Sequence, residues 1–467
     1  MKKLINKISG KSPLIMLLVV FFTVSCSKDF LELQPQQSVS TGQALVTIGD
    51  FEAAMVGAYD GLTSSNYYGR YFTLVTDIMS DDVKLNASAN RAADWAEYVG
   101  SSTDNNNLSG NIWEYAYRVI DRANRILAAE TDADVTNFKG HAYALRALVH
   151  FDLVRIYGQH YTFTSDASHL GIPIVTEVDP FQKPARNTVG EVYAQVIADF
   201  NTALGMIDDD TDSHFMSKNA VNALLARVYM YKEDWTNALA AANSVINSGD
   251  YSLVGNANYR DLFIQDGHSE AIFELDMNET DKRGTDALGG MYLGSGYGDY
   301  LPATDILDLF DENDVRGTLF ATDLSIGGGD YGTTRVDKYD NDLGLNNPQV
   351  IRLADVYLIR AEANYNLGNT AAAQADVDMV RQRANPTAAA VTATGQALLD
   401  EILLERRLEL CFEGSRLWDL TRHKMGVHRD DCTAAICDIP YPDNRFVLAI
   451  GKFEVDVNEN IVQNPGY

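Results

Sequence analysis

Residues 403–423 read LLERRLELCFEGSRLWDLTRH, and Glu405, Glu409 and Glu413 stand in them at i, i+4 and i+8. On a helix this spacing stacks three carboxylates on one face, within reach of Arg406, Arg407 and Arg416. Paired carboxylates cleave glycosidic bonds when they face the sugar from opposite sides, about 5–9.5 Å apart. Neighbouring helical glutamates lie closer than that and share a direction, so they are badly placed to flank a bond. With arginines this near, Glu405, Arg406, Glu409, Glu413 and Arg416 read as a charge-paired structural clamp at a helix end, with Trp418 packed beneath it. A glycosidase would have to use loop acids such as Asp77, Asp81 or Asp82 instead.

Other catalytic signatures are missing: the chain holds no G-x-S-x-G, no H-E-x-x-H and no Walker loop. Its eight histidines are scattered, so no metal-ligand set and no cofactor is expected. Calcium is the one alternative, at FDENDVRG (310–317) and DKYDNDLG (337–344), where acidic spacing resembles a calcium loop without completing twelve residues. Cys432 and Cys437 lie close together in a loop-like tail, as a local disulfide would, and Cys411 sits among apolar neighbours, as a buried thiol would. Aromatic residues in polar loops carry a different chemistry. A sugar ring offers apolar faces and hydroxyl edges, so a site for it wants flat aromatics bordered by Asn, Asp or Arg. Tyr67, Tyr68, Arg70, Arg91, Asp94, Trp95 and Tyr98 supply those types in one segment, and Tyr292, Tyr297 and Tyr300 in another.

The elements that must position them follow from periodicity. Apolar residues recur every three to four positions across 111–250 and 350–412, which predicts stacked amphipathic helices. ALRALVHFDLVRIYG (144–158), ALLARVYMYKEDW (223–235) and LIRAEANYNLGN (358–369) each place alanines where a neighbouring helix approaches and an aromatic three to five residues on. Leu225, Ala226, Tyr229 and Ala238 fall at tetratricopeptide spacing, so the expected fold is all-α, a helical-repeat scaffold with minor β. Segments 60–110 and 280–347, rich in Gly, Asn, Asp, Ser and Tyr, read as loop-rich insertions. EAIFELDM (270–277) and RFVLAI (445–450) are candidate short strands. A peptide-binding groove lined by Tyr229 is the scaffold's rival use.

The beginning of the chain reads as an export signal. Lys2, Lys3, Lys7 and Lys11 precede the apolar run Leu14–Phe22, too short to span a bilayer, and Cys26 follows. The segment resembles a lipobox, with Thr23 where leucine is usual. Residues 1–25 are then a lipoprotein signal, Cys26 the lipidated residue, 26–50 a tether, and 51–467 a single domain held at the membrane by acyl chains. A formal net charge of −28, more negative still once that lysine-bearing signal is removed, excludes nucleic acid as a partner.

Taken together, several segments resemble one family, the outer-membrane glycan-binding lipoproteins of the starch-utilisation type (SusD/RagB). IRLADVYLIRAEANYNLGN (351–369), MVRQRAN (379–385) and ILLERRLELCFEGSRLWDLTRH carry the resemblance most strongly, with Asp355 where glutamate is usual. CSKDFLELQP, ALRALVHFDLVRIYGQ, GIPIV and SEAIFELDM add to it. The resemblance implies four tetratricopeptide-like units supporting a loop-rich half that binds oligosaccharide without hydrolysing it. It also implies a SusC-like TonB-dependent transporter as partner, an outer-membrane, surface-facing location, and a structural role for the 405–416 helix. Its sugar contacts lie in variable loops, so the tyrosines, Trp95, Arg91 and Asp94 stand on composition. A peptide or other nutrient in place of glycan is the alternative within the same role.

Overall fold

In the computed structural model, which describes residues 44–103, 107–208, 212–324, 332–339 and 343–467, Thr47 opens the first helix. Its hydroxyl accepts from the Asp50 amide while the Asp50 carboxylate accepts from the Thr47 amide, a capping box that starts helix α1 at Ile48–Asp60. This helix begins inside the stretch expected to be tether. Cys26, the signal and the tether up to residue 43 lie outside the described residues.

The predicted periodic regions are helical. α2 (Tyr71–Ile78) is a helix inside the first segment expected to be loop-rich, and α3 (Leu108–Ala128), α4 (Thr136–Tyr157), α5 (Val189–Leu204), α6 (Lys218–Tyr231) and α7 (Trp235–Ser248) precede the second. α8 (Leu353–Asn366), α9 (Thr370–Ala384), α10 (Gln396–Leu410) and α11 (Arg416–Arg422) follow it. Consecutive helices pack on one another: α3 on α4, α4 on α5, α6 on α7 and α8 on α9, with α8 also lying on α7. α4 is the axis of this array, buried at nearly every position from Gly140 to Tyr157. A Cβ at Gly140 would sit 2.8 Å from the Ile207 amide nitrogen, so glycine there lets the turn after α5 close on the helix. Inside the apolar stack, Arg146 of α4 holds Asp199 of α5 through two 2.8 Å bonds and Asn124 of α3 through a third of 2.8 Å. One guanidinium thus fixes the relative rotation of three helices.

Strands are minor, as expected. Among the described residues they form four two-stranded antiparallel sheets: β1 (Val83–Leu85) with β3 (Tyr300–Pro302), β2 (Ala271–Glu274) with β6 (Gln349–Arg352), β4 (Phe320–Asp323) with β5 (Thr333–Val336), and β7 (Val427–His428) with β8 (Asp438–Ile439). RFVLAI is not a strand: Asn444–Phe446 forms a helical turn, and the buried residues beyond it are held singly, Leu448 donating to Ile156 O at 2.8 Å. No helix of the described residues is long and apolar enough to cross a membrane.

Candidate functional site

The glutamate ladder lies in the interior. Glu405 and Glu409 are fully buried, and their partners come from elsewhere in the chain rather than from the adjacent arginines. Arg316 reaches Glu405 at 2.6 Å and Glu409 at 3.1 Å, Arg381 reaches Glu405 at 3.0 Å, and Arg383 bonds Glu409. Arg352 bonds Glu409 at 2.6 Å and Glu413 at 2.8 Å, and Lys338 meets Glu413 at 2.6 Å. Arg406 faces away to Asp355 and Asp419, both at 3.0 Å, Arg407 pairs with Asp82 at 2.7 Å, and Arg416 pairs with Asp81 at 2.7 Å. The expectation that 406, 407 and 416 neutralise the ladder is corrected by helix geometry. Those three leave α10 and its exit on other faces and clamp α8, α11 and the 81–82 turn instead. Burial alone would push the Glu409 carboxyl up, but Arg383, Arg352 and Arg316 outweigh it and hold the group well below the usual range. Trp418 does not sit beneath the ladder: its ring faces the Arg155 guanidinium, 4.0 Å away.

The glycosidase acids are occupied in the same way. Asp81 and Asp82 are held by Arg416 and Arg407, while Asp77 accepts from the Gly414 amide at 3.0 Å and the Tyr292 hydroxyl at 3.1 Å. Burial pushes the Asp77 carboxyl well above its ordinary value. In the calcium-like segments Asp314 pairs with Arg316 at 2.7 Å and Asp337 with Arg260 at 2.9 Å, while Asp311 accepts from Asn313; residues 340–342 lie outside the described residues. The groups with metal-ligating geometry, His214, Asp266 and Glu274, belong to another part of the chain. Cys432 and Cys437 are joined, their Cα atoms 5.6 Å apart, and burial pushes the Cys411 thiol up to about 12.

The two loop-rich insertions meet. β1 of the first pairs with β3 of the second, Val83 opposite Pro302 and Leu85 opposite Tyr300. This junction brings the composition-based sugar contacts together but buries most of them. Tyr67 and Tyr68 lie inside and donate to Asp152 at 2.6 and 2.8 Å. Trp95 is 2% exposed, stacked so closely on Gly100 that a Cβ there would lie 2.4 Å from the indole. Tyr98 donates to Met79 O, Tyr292 to Asp77 and Tyr300 to Arg91 O, all three rings buried. The expectation of exposed rings is corrected for these six, because each tyrosine hydroxyl found an internal acceptor and the indole a glycine to pack on.

Arg91, Asp94 and Tyr297 remain partly exposed. The Arg91 guanidinium lies over the Tyr297 ring, 3.2 Å from its centroid, and is tied from behind by Asp299 at 3.3 Å. Tyr297 donates to Asp286 at 3.2 Å, and Arg70 meets the same carboxylate at 2.5 Å. Gly298 takes a positive φ of 60°, and its carbonyl accepts from Arg335 at 3.1 Å and Asn86 at 3.0 Å, which sets the turn presenting Tyr297. The result is a flat stacked surface edged by carboxylates and guanidinium groups. Asp286, Asp299 and Arg335 were not singled out from sequence. The signal available for them was their placement beside glycines and tyrosines in GTDALGG and GYGDY and on a short strand. Tyr229, the proposed lining of a peptide groove, is partly buried against the core, as Tyr297 is.

Comparison with known proteins follows the same lines. Residues 330–467 match the model described as the SusD family, and residues 29–230 the model described as "Starch-binding associating with outer membrane". The chain is 26% identical over 522 residues to SusD-like protein P2 of Formosa agariphila, covering 98% of this chain and 100% of that one. It is 27% identical to SusD-like protein P38 of the same organism, covering 90% and 93%. A SusD superfamily protein of Bacteroides thetaiotaomicron superposes with a TM-score of 0.83 at 28% identity, over 90% of this chain and all of that one. Another from Bacteroides vulgatus gives 0.83 at 27%, over 91% and 100%.

Proposed function

The chain belongs to the SusD family, and from that premise we propose that it is a cell-surface lipoprotein that binds a glycan without cleaving it and hands it to a SusC-like TonB-dependent transporter. Lipidation at Cys26 anchors it in the outer membrane. The observation that carries the reading is the β1–β3 junction, where two loop-rich segments leave the Arg91–Tyr297 stack at the surface while their other aromatics serve the core. A stacked, partly apolar pair bordered by the exposed Asp286 carboxylate suits a sugar face and its hydroxyls.

Every acid weighed for catalysis is either ion-paired or held between neutral donors in the interior, whereas a general acid must reach the glycosidic oxygen directly. This supports a reading in which the glycan is held by stacking and hydrogen bonding.

Affinity electrophoresis through gels carrying neutral polysaccharides tests the capture step. Retardation by one polysaccharide, relieved in Tyr297→Ala, is expected; unretarded migration in every gel would count against it. Labelling of cells with radioactive palmitate tests the anchor, and incorporation that survives Cys26→Ala would exclude lipidation at that residue.

A further inference from the structure

β2 ends on Glu274, whose side chain is 0% exposed. Several other buried carboxylates among the described residues meet guanidinium groups: Glu270 with Arg383, Glu362 with Arg422, Glu405 with Arg316, Asp199 with Arg146. Glu274 has no arginine or lysine partner among the described residues. Instead, three neutral donors converge on it. Oε1 accepts from the Ser213 hydroxyl and the Gly267 amide, both at 2.8 Å, and Oε2 from Gln349 Nε2 at 2.6 Å. A buried carboxylate ringed by dipoles is stabilised by a positive charge nearby, and among the described residues His214 approaches it, Nε2 to Oε1 at 4.0 Å.

His214 is itself bracketed by acids. Nδ1 lies 3.1 Å from Asp212 and Nε2 2.7 Å from Asp266 Oδ1. A carboxylate on one ring nitrogen fixes the tautomer and turns the other nitrogen into a ligand, the arrangement that supports metal-binding histidines. Ligand atoms of His214, Asp266 and Glu274 all lie within 4.8 Å of one another. Two bonds of about 2.0–2.1 Å at a tetrahedral angle place ligands about 3.3 Å apart. The observed 2.7 and 4.0 Å straddle that spacing, and the Asp266 side chain, 65% exposed on its loop, has room to retreat. A cavity of about 160 Å³ bordered by Asp266, Asn347 and Gln349 gives a route from solvent.

We propose that His214, Asp266 and Glu274 form a three-ligand site for a divalent transition-metal ion of the zinc type, with Asp212 orienting the imidazole. An imidazole among the ligands favours zinc over calcium or magnesium, which prefer all-oxygen shells. Coordination replaces the hydrogen between His214 Nε2 and Asp266, and that proton leaves to solvent. The ion neutralises Glu274 and ties the segment entering α6 to β2. The site is independent of glycan binding.

The test is calorimetric titration of zinc chloride into chelator-treated residues 27–467, with cobalt absorption spectra in parallel. One ion per chain is expected. Asp266→Asn, at an exposed position that does not threaten folding, should weaken binding at least tenfold; Asp212→Asn should weaken it about tenfold, and His214→Ala should abolish it. His428 is the rival, an exposed imidazole between Asp430 and Asp438, and His428→Ala should leave the isotherm unchanged. Absence of saturable binding, or binding that survives Asp266→Asn and His214→Ala but not His428→Ala, would overturn the proposal.

Discussion

Arg352 Nη1 lies 2.6 Å from Glu409 Oε1, with the two side chains 1% and 0% exposed. The pair joins the strand that introduces α8 to the helix that carries the ladder, two elements far apart in sequence. Because Arg383 and Arg316 share the same carboxylate, Glu409 is the hub on which three buried cations depend.

Removing that hub takes one carboxylate from each of three buried guanidinium groups, leaving Arg383 with Glu270, Arg316 with Glu405 and Asp314, and Arg352 with Glu413. Glu409→Gln is expected to cost about 3–5 kcal/mol of stability, read as a lowered urea midpoint. A loss below about 1 kcal/mol would mean that Glu405 and Glu413 absorb the charge and that the ladder is redundant.

Acid sensitivity follows from two sets of groups. At Glu362, Glu409, Glu413, Asp355 and Asp419 burial raises the carboxyl, but adjoining guanidinium groups win and leave it lowered. A lowered carboxyl contributes stability above its unfolded value, about 4, and loses it as pH falls through the folded value. Burial, then Arg146, lowers His150 to about 3, and burial, then Lys424, lowers His160 to about 4. A depressed histidine costs stability as soon as pH drops below its unfolded value, about 6.5. The raised carboxyls of Asp77, Asp82 and Asp152 act in the opposite sense and offset part of the loss. The urea midpoint should therefore decline gently below about pH 6.5 and steeply below about pH 4.5. His150→Gln should flatten the upper limb alone; a midpoint constant from pH 7 to 4 would contradict the assignment.

The junction separates two kinds of aromatic. Tyr297→Ala is expected to weaken glycan binding by about 1–3 kcal/mol with little change in melting. Trp95→Ala should instead open a cavity and cost about 3–5 kcal/mol of stability. Parallel melting curves and binding isotherms distinguish them, and the reverse pattern would move the site to Trp95.

The Cys432–Cys437 bridge closes a short loop directly after Asp431, which bonds Lys84 at 2.5 Å and the Thr304 amide at 2.9 Å. Replacing both cysteines by serine should cost about 2 kcal/mol, as loop-closure entropy gives for so few residues. Faster hydrogen exchange in Val83–Leu85 than in α4 should accompany it. Unchanged exchange there would show that the tail does not brace the junction.

The helical scaffold was legible because 3.6-residue periodicity and small-residue faces are local, and the stacked helices follow them. The ladder's structural character was legible too, since i, i+4 spacing already rules out flanking a sugar bond. Its partners were not: Arg316, Arg352, Arg381 and Arg383 reach Glu405 and Glu409 only after long-range folding. The loop tyrosines misled for a related reason. A tyrosine has an apolar ring and a polar tip, so composition cannot tell a ring facing sugar from one whose hydroxyl, like that of Tyr67, has found a buried aspartate. Tyr297 stays at the surface because Gly298 turns the chain and Arg91 covers the ring.

The central claim is glycan capture without chemistry, and calorimetric titration of residues 27–467 against neutral and acidic oligosaccharides and polysaccharides tests it most directly. Heat that saturates at one site per chain with one glycan class, with the sugar recovered intact, is the predicted result. Heat that continues until substrate is consumed, with shorter products, would contradict it.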